Sequence, residues 1–272
     1  PAGGGARPGI VLCHGVAAGG KDDFRLVNFA DALARSGYVA LVPEFENLKS
    51  FRVRPEDVGE LVAAFEYLEE RPFVESDRVG LFGLSYAGGL SLLAAGRPRI
   101  ADRVHFCFCL GGYYDLVNVV AYMTTGRYLA DGDWEYLEPR NSGRWAFLLN
   151  SSDLIGDPVD REILEEIARA KLNDPRADIE RARRRLGEEG RLALELLTND
   201  DPERTAGLVS AMNPRVRDYF ERLSPAGKLD RVRAHLILAH GRDDNLIPYT
   251  ETILIREHAT ASSSVRCTLF DS

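Results

Sequence analysis

Gly83-Leu84-Ser85-Tyr86-Ala87-Gly88-Gly89 is the stretch on which the reading of this chain turns. Before it, Asp77-Arg78-Val79-Gly80-Leu81-Phe82 reads as a short buried strand; after it, Leu90-Ser91-Leu92-Leu93-Ala94-Ala95 reads as the opening of a helix. A serine between small residues at a strand-to-helix joint is a nucleophile elbow. The turn is so tight that a bulky side chain two positions before or after the serine would strike neighbouring backbone. Gly83 and Ala87 meet that demand, although Ala87 stands where the strict motif has glycine. Ser85 would then sit on a strained backbone above the sheet, with a helix N-terminus facing whatever negative charge develops there.

Two further segments fall where an elbow needs them. Upstream, the apolar run Pro8-Gly9-Ile10-Val11-Leu12-Cys13 reads as a strand buried on both faces and ends in His14-Gly15-Val16-Ala17-Ala18-Gly19-Gly20. Such a Gly-rich loop can turn a backbone N–H toward the serine. The expected oxyanion hole is the N–H of Tyr86 plus that of Val16, with Ala17 as the weaker alternative. Downstream, the apolar strand His235-Leu236-Ile237-Leu238-Ala239 ends in His240-Gly241-Arg242-Asp243-Asp244-Asn245-Leu246-Ile247-Pro248. A carboxylate on that loop suits the acid of a triad, and two adjacent aspartates compete for the role.

Taken together, His14-Gly15, the elbow and His240-Gly241-x-x-Asp244-x-x-x-Pro248 resemble the motifs of an α/β-hydrolase of the dienelactone-hydrolase-like or prolyl-oligopeptidase-like branch. Their order and spacing match across nearly the whole chain. The resemblance implies an α/β fold with a mostly parallel, doubly wound sheet. It also implies a helical cap inserted between the sixth and seventh strands of the family order. In that family the acid is the third residue after Gly and the fourth before Pro, which is Asp244, while Asp243 takes a solvent-facing position. Some members draw the acid from an earlier strand, which makes Asp115 the fallback. True dienelactone hydrolases use a cysteine nucleophile; this chain has Ser85, so that substrate is not implied.

The family places its catalytic histidine after the last strand, here Val265-Arg266-Cys267-Thr268-Leu269-Phe270, and no histidine follows it in the sequence. His235 lies at the wrong end of its strand, and His105 reads as a packed residue inside the strand Val104 to Leu110. His258 follows a helix beginning near Asp244 that, at about 1.5 Å per residue, carries it toward the opposite face. His14 and His240 sit at the right end but read as braces of their own loops. The chain opens at Pro1 without a Met and stops at Ser272. The expectation is a segment of a longer protein, with the family's first two strands before Pro1 and the catalytic His just beyond Ser272.

Composition is that of a soluble α/β enzyme. The 272 residues suffice for one large core or one domain with a big insertion. A net charge of −8 gives no basic stripe for nucleic acid. No stretch approaches the roughly 18 apolar residues of a membrane span, and cytosol is the default location. Cys13, Cys107, Cys109 and Cys267 lie in expected strands without metal-ligand spacing and read as free core thiols.

Along the chain, helical spacing marks Asp23 to Ser36 and Pro55 to Glu70, and Tyr38-Val39-Ala40-Leu41-Val42 reads as a strand between them. Between Gly111 and about Val232 the strand–helix alternation gives way to charged helical sequence with no evident strand, including helices over Val159 to Leu172 and Ala177 to Thr198. The domain reading is a hydrolase core over 1–110 and 233–272, with a helical lid over 111–232. Within that lid, Arg183-Arg184-Arg185 reads as a solvated helix face, and Trp134, Tyr136, Trp145 and Phe147 as pocket or lid core alike. Glu44 and Glu46 follow a strand at the catalytic end; a carboxylate there could orient the nucleophile or contact substrate, but the stretch reads first as a solvated loop.

The function expected is hydrolysis of a small-molecule carboxylic ester or amide. Ser85 attacks the acyl carbon, a histidine takes its proton, and Asp244 orients that histidine. The scheme calls for no cofactor or metal. An S9-type peptidase is the enzymatic alternative, and a non-catalytic hydrolase-fold binding module lacking its base is the alternative of another class.

Overall fold

A computed structural model describes residues 5–271. Its strands are β1 (Arg7–Cys13), β2 (Val39–Leu41), β3 (Val74–Leu84), β4 (Phe106–Leu110), β5 (Arg127–Ala130), β6 (Asp133–Tyr136), β7 (His235–Gly241) and β8 (Ser264–Phe270). The helices are α1 (Phe24–Arg35), α2 (Glu46–Lys49), α3 (Pro55–Glu69), α4 (Tyr86–Ala95), α5 (Leu116–Thr125) and α6 (Ser142–Ser151), followed by α7 (Pro158–Asn173), α8 (Glu180–Arg183), α9 (Glu188–Thr198), α10 (Thr205–Ala211), α11 (Pro214–Leu223) and α12 (Thr250–His258). The chain divides into two compact units: Pro1–Tyr114, Leu223–Arg242 and Glu251–Ser272 form one, and Asp115–Arg222 with Asp243–Thr250 the other.

The first unit is built on a six-stranded sheet in the order β2-β1-β3-β4-β7-β8. All of its neighbours pair in parallel. The parallel pairing forces helical crossovers, so the strands are covered by helices and β1 is buried from Gly9 to Cys13. On one face Ile10, Leu12 and Phe82 pack with Leu26 of α1, joined by Phe29, Ala30 and Leu33. Asp23 caps α1 by accepting the Arg25 N–H at 3.0 Å. In α3 the side chains of Val58, Leu61, Val62, Phe65 and Leu68 are buried at three- and four-residue spacing. Burying a side chain of that size stabilises by roughly 1.5–3 kcal/mol. Pro55 sits in the first turn of α3, where its missing N–H costs nothing.

α4 is buried from Ala87 to Ala95, as a helix apolar on all sides must be. Toward β7 and β8 the sheet is more open, with Ile237 38% and Phe270 40% exposed. The strand expected over Val104 to Leu110 begins at Phe106. His105 precedes it and is exposed, not packed in the core; its ring lies beside that of His235 on the neighbouring strand, 5.3 Å between centroids. Cys13, Cys107 and Cys109 are buried free thiols, and Cys267 is half-buried.

The second unit is mainly helical. Its core gathers Leu148 of α6, Ile163, Leu164 and Ile167 of α7, and Leu194 and Leu197 of α9; Trp145 is buried as well. Asp157 caps α7, accepting the Val159 N–H at 2.8 Å. Buried Asp160, on that same helix, reaches α9 and accepts the N–H groups of Gly187 at 2.6 Å and Gly190 at 2.7 Å. Two of the orphan donors at the start of α9 are thus satisfied by another helix. The continuous helix expected over Ala177 to Thr198 is therefore two, α8 and α9, separated at Gly187. The sequence reading also missed the antiparallel pair β5–β6, which pairs Leu129 with Trp134. Asp131 and Gly132 form its two-residue turn, at φ 51° and 95°. Trp134 and Tyr136 are exposed.

Candidate active site

Ser85 sits between the last residue of β3 and the first of α4, with φ 58° and ψ −128°. A positive φ is costly for any residue with a side chain, and it persists only where the surroundings impose it. Here both sides impose it. The Ser85 N–H donates to Leu110 O on the neighbouring strand at 2.7 Å, and the Gly88 N–H returns to Ser85 O at 2.8 Å. A Cβ at position 83 would run into the Ala87 carbonyl and the Gly88 nitrogen, so only glycine fits there. The backbone therefore makes the elbow that the residue types call for. Tyr86 opens α4, and its ring lies 5.7 Å from that of Tyr113, whose hydroxyl donates to Leu223 O at 2.7 Å.

β1 and β3 are neighbours in register Cys13↔Gly83, so the loop after Cys13 and the elbow after Leu84 leave the same end of the sheet. A Cβ on Gly15 would lie 3.3 Å from Leu84 O. Val16 follows directly and is half-buried. Among the described residues, the Val16 and Ala17 N–H groups have no hydrogen-bond partner. Unbonded backbone donors beside a helix N-terminus are what an oxyanion requires. The structure thus brings Ser85, Tyr86 and Val16 to one end of the first unit.

Asp244 belongs to the second unit. Its Oδ1 accepts the Leu246 N–H at 2.8 Å and the Ile247 N–H at 3.0 Å, which fixes the carboxylate on its own loop. Tyr122 donates to the Asp244 carbonyl at 3.5 Å, and burial followed by the Asp244 charge pushes its phenol well up. Asp244 is half-buried while Asp243 is exposed. Asp115, the fallback acid, caps α5 by accepting the Val117 N–H at 2.9 Å.

Four of the five histidines have a ring nitrogen engaged with another group. Phe45 N–H donates to His14 Nε2 at 3.1 Å, so Nδ1 carries the hydrogen and donates to Gly15 O at 2.8 Å. Glu44 Oε1 also approaches the same Nε2, at 3.4 Å. His240 is buried, with Nδ1 2.7 Å from Thr252 Oγ1. His235 Nδ1 lies 2.9 Å from Ser264 Oγ at the amino end of its strand. The His258 Nδ1–H donates to Leu254 O at 2.9 Å, and its ring stacks on Tyr114, 4.7 Å between centroids.

Glu44 is not the solvated residue the sequence suggested. It accepts the Lys21 N–H at 3.3 Å and the Lys49 ammonium at 3.1 Å. Burial alone would raise its pKa; Lys49 and the Lys21 N–H outweigh that and hold the carboxyl below its ordinary value. Arg183 and Arg185 do lie on a solvated face, paired with Glu180 and Glu166. Among the described residues no three His, Cys, Asp or Glu side chains gather as metal ligands, and no helix is long and apolar enough to cross a membrane.

A parallel sheet whose third strand in sequence turns through a strained serine into a buried helix, with most of the second unit inserted in the sequence between β4 and β7, is the α/β-hydrolase fold. Solved structures agree. The 2,6-dihydroxy-pseudo-oxynicotine hydrolase matches all of this chain over 56% of its own, with TM-score 0.54 and 15% identity. The Pyrococcus horikoshii acylaminoacyl peptidase matches 99% of this chain over 33% of its own, with TM-score 0.51 and 16% identity. In sequence, 120 residues are 29% identical to a probable 2-oxo-3-(5-oxofuran-2-ylidene)propanoate lactonase of Bradyrhizobium sp, covering 38% of this chain and 46% of that protein. No protein-family model matches. The matches span about half the length of the lactonase and of the first of these structures.

Proposed function

We propose that this chain is the core of a serine hydrolase that cleaves a small-molecule carboxylic ester, cyclic esters included, or an amide, through an acyl-enzyme. The observation that carries the reading is the backbone of Ser85: φ 58° at the head of a buried helix, with glycine required at position 83. Strain of this kind costs on the order of 1–3 kcal/mol and is concentrated at functional sites. Ser85 Oγ attacks the acyl carbon and its proton passes to a histidine acting as general base. Asp244 orients that imidazole and stabilises its charged form. The N–H groups of Val16 and Tyr86 receive the oxyanion, the alcohol or amine leaves with the proton, and water then releases the acid. The helical segment 111–232 is the lid in this reading.

The lactonase relative favours an ester over a peptide, although the acylaminoacyl peptidase shares the fold. The test is turnover of p-nitrophenyl acetate by the full-length protein and its Ser85→Ala variant. A pre-steady-state burst in the parent, and a loss of several orders of magnitude in the variant, are expected. Equal turnover by both would reject the reading.

A further inference from the structure

Both ends of the loop that presents Val16 hang on two consecutive residues, Glu44 and Phe45. At the near end, the Phe45 N–H holds His14, and His14 holds the Gly15 carbonyl. At the far end, the Glu44 carboxylate accepts the Lys21 N–H at 3.3 Å. Gly20, immediately before, has φ 50°, and a Cβ there would overlap Glu44 Oε1. Between these anchors, Ala17 O accepts the Gly20 N–H at 3.0 Å and Gly19 O accepts the Asp22 N–H at 2.9 Å. The loop is thereby closed by its own turns while the N–H groups of Val16 and Ala17 stay unbonded. Lys49 of α2 pins Glu44 from its outer side at 3.1 Å.

A Gly-rich loop has much conformational freedom, and an oxyanion donor is effective only when it is already aimed. We infer that Glu44 is a positioning residue of the oxyanion site, holding the Gly15–Gly20 loop so that the Val16 N–H faces the group bound at Ser85. The inference rests on the assignment of Ser85 as nucleophile. Glu44 acts through the loop and does not touch the substrate. Its removal therefore affects the transition state, where charge sits on the oxygen, more than the ground state.

The experiment compares the full-length protein with its Glu44→Ala, Glu44→Gln and Lys49→Met variants. Two readouts are taken: kcat and KM for p-nitrophenyl acetate, and the second-order rate of phosphonylation by a fluorophosphonate, whose P–O occupies the same hole. Glu44→Ala is expected to lower kcat and the phosphonylation rate about tenfold or more, with KM within about twofold. Glu44→Gln keeps an oxygen for the Lys21 N–H and should recover most of that loss. Lys49→Met, which leaves Glu44 in place, should cost about threefold, and it provides the comparison if Glu44→Ala does not fold. Unchanged kcat in Lys49→Met alongside a non-folding Glu44→Ala, unchanged kcat in a folded Glu44→Ala, or a loss confined to KM, would overturn the inference. If Ser85→Ala retains full activity, the nucleophile assignment fails first and the inference falls with it; an inactive Ser85→Ala beside a fully active Glu44→Ala rejects the inference alone.

Discussion

The Phe45 N–H donates to His14 Nε2 across 3.1 Å, joining the residue after β1 to the loop after β2 in a buried setting. This bond settles the tautomer of His14 and removes it as a proton acceptor for Ser85. It also leaves His14 with a structural role that can be measured. His14→Phe strands the buried Phe45 N–H, for which a cost of about 1–3 kcal/mol is expected. Urea denaturation should show a lower midpoint with an unchanged slope.

The adjacent aspartates should differ sharply. Asp244→Asn weakens the group that would orient the imidazole, and a fall in kcat on the order of 10³–10⁴ is expected. Asp243, exposed one residue earlier, should tolerate Asn with kcat within about twofold. Steady-state kinetics on the full-length variants distinguishes the two, and equal losses would contradict the assignment.

Asp160 is a test of the second unit alone. Asp160→Ala leaves the N–H groups of Gly187 and Gly190 without their acceptor, and about 2–5 kcal/mol of stability should be lost. Asp160→Asn should also destabilise, because one of its two positions becomes a donor facing a donor. Thermal unfolding of each variant measures the effect.

Asp23 carries a pH signature. Its hydrogen bond with the Arg25 side chain holds its carboxyl at about 2, below the unfolded value of about 3.9. A depressed carboxyl stabilises the fold fully above its unfolded pKa and loses that contribution as pH falls through the folded one. At neutral pH, Asp23→Ala should therefore cost about 1 kcal/mol, the usual worth of a helix cap. The difference between parent and variant should shrink between about pH 4 and pH 2.

Much of the fold was legible because strands buried on both faces must be continuous apolar runs, and β1 and β7 end in motifs that mark the carboxyl edge of a sheet. What escaped depended on contacts distant in sequence. The break before α9 is set by Asp160, which lies 27 residues from Gly187. Glu44 looked solvated because nothing local shows that Gly20 and Lys21 fold against it. Phe45 holds His14 through its backbone N–H, which no residue type announces, as well as through its ring. The β5–β6 hairpin is different: Asp131-Gly132 is a strong signal for a two-residue turn, and its φ values of 51° and 95° are those of the turn that dipeptide favours. The charged helical sequence on either side masks that signal. At the elbow, sequence and geometry agree residue by residue, because the steric demand at Gly83 is local.

The central claim is that Ser85 is the nucleophile, and the most direct measurement is the site of covalent capture. The full-length protein is treated with a fluorophosphonate, digested, and its peptides sequenced by mass spectrometry. The account predicts one stoichiometric adduct on Ser85 and none in Ser85→Ala. An adduct on any other residue, or undiminished labelling of Ser85→Ala, would contradict it.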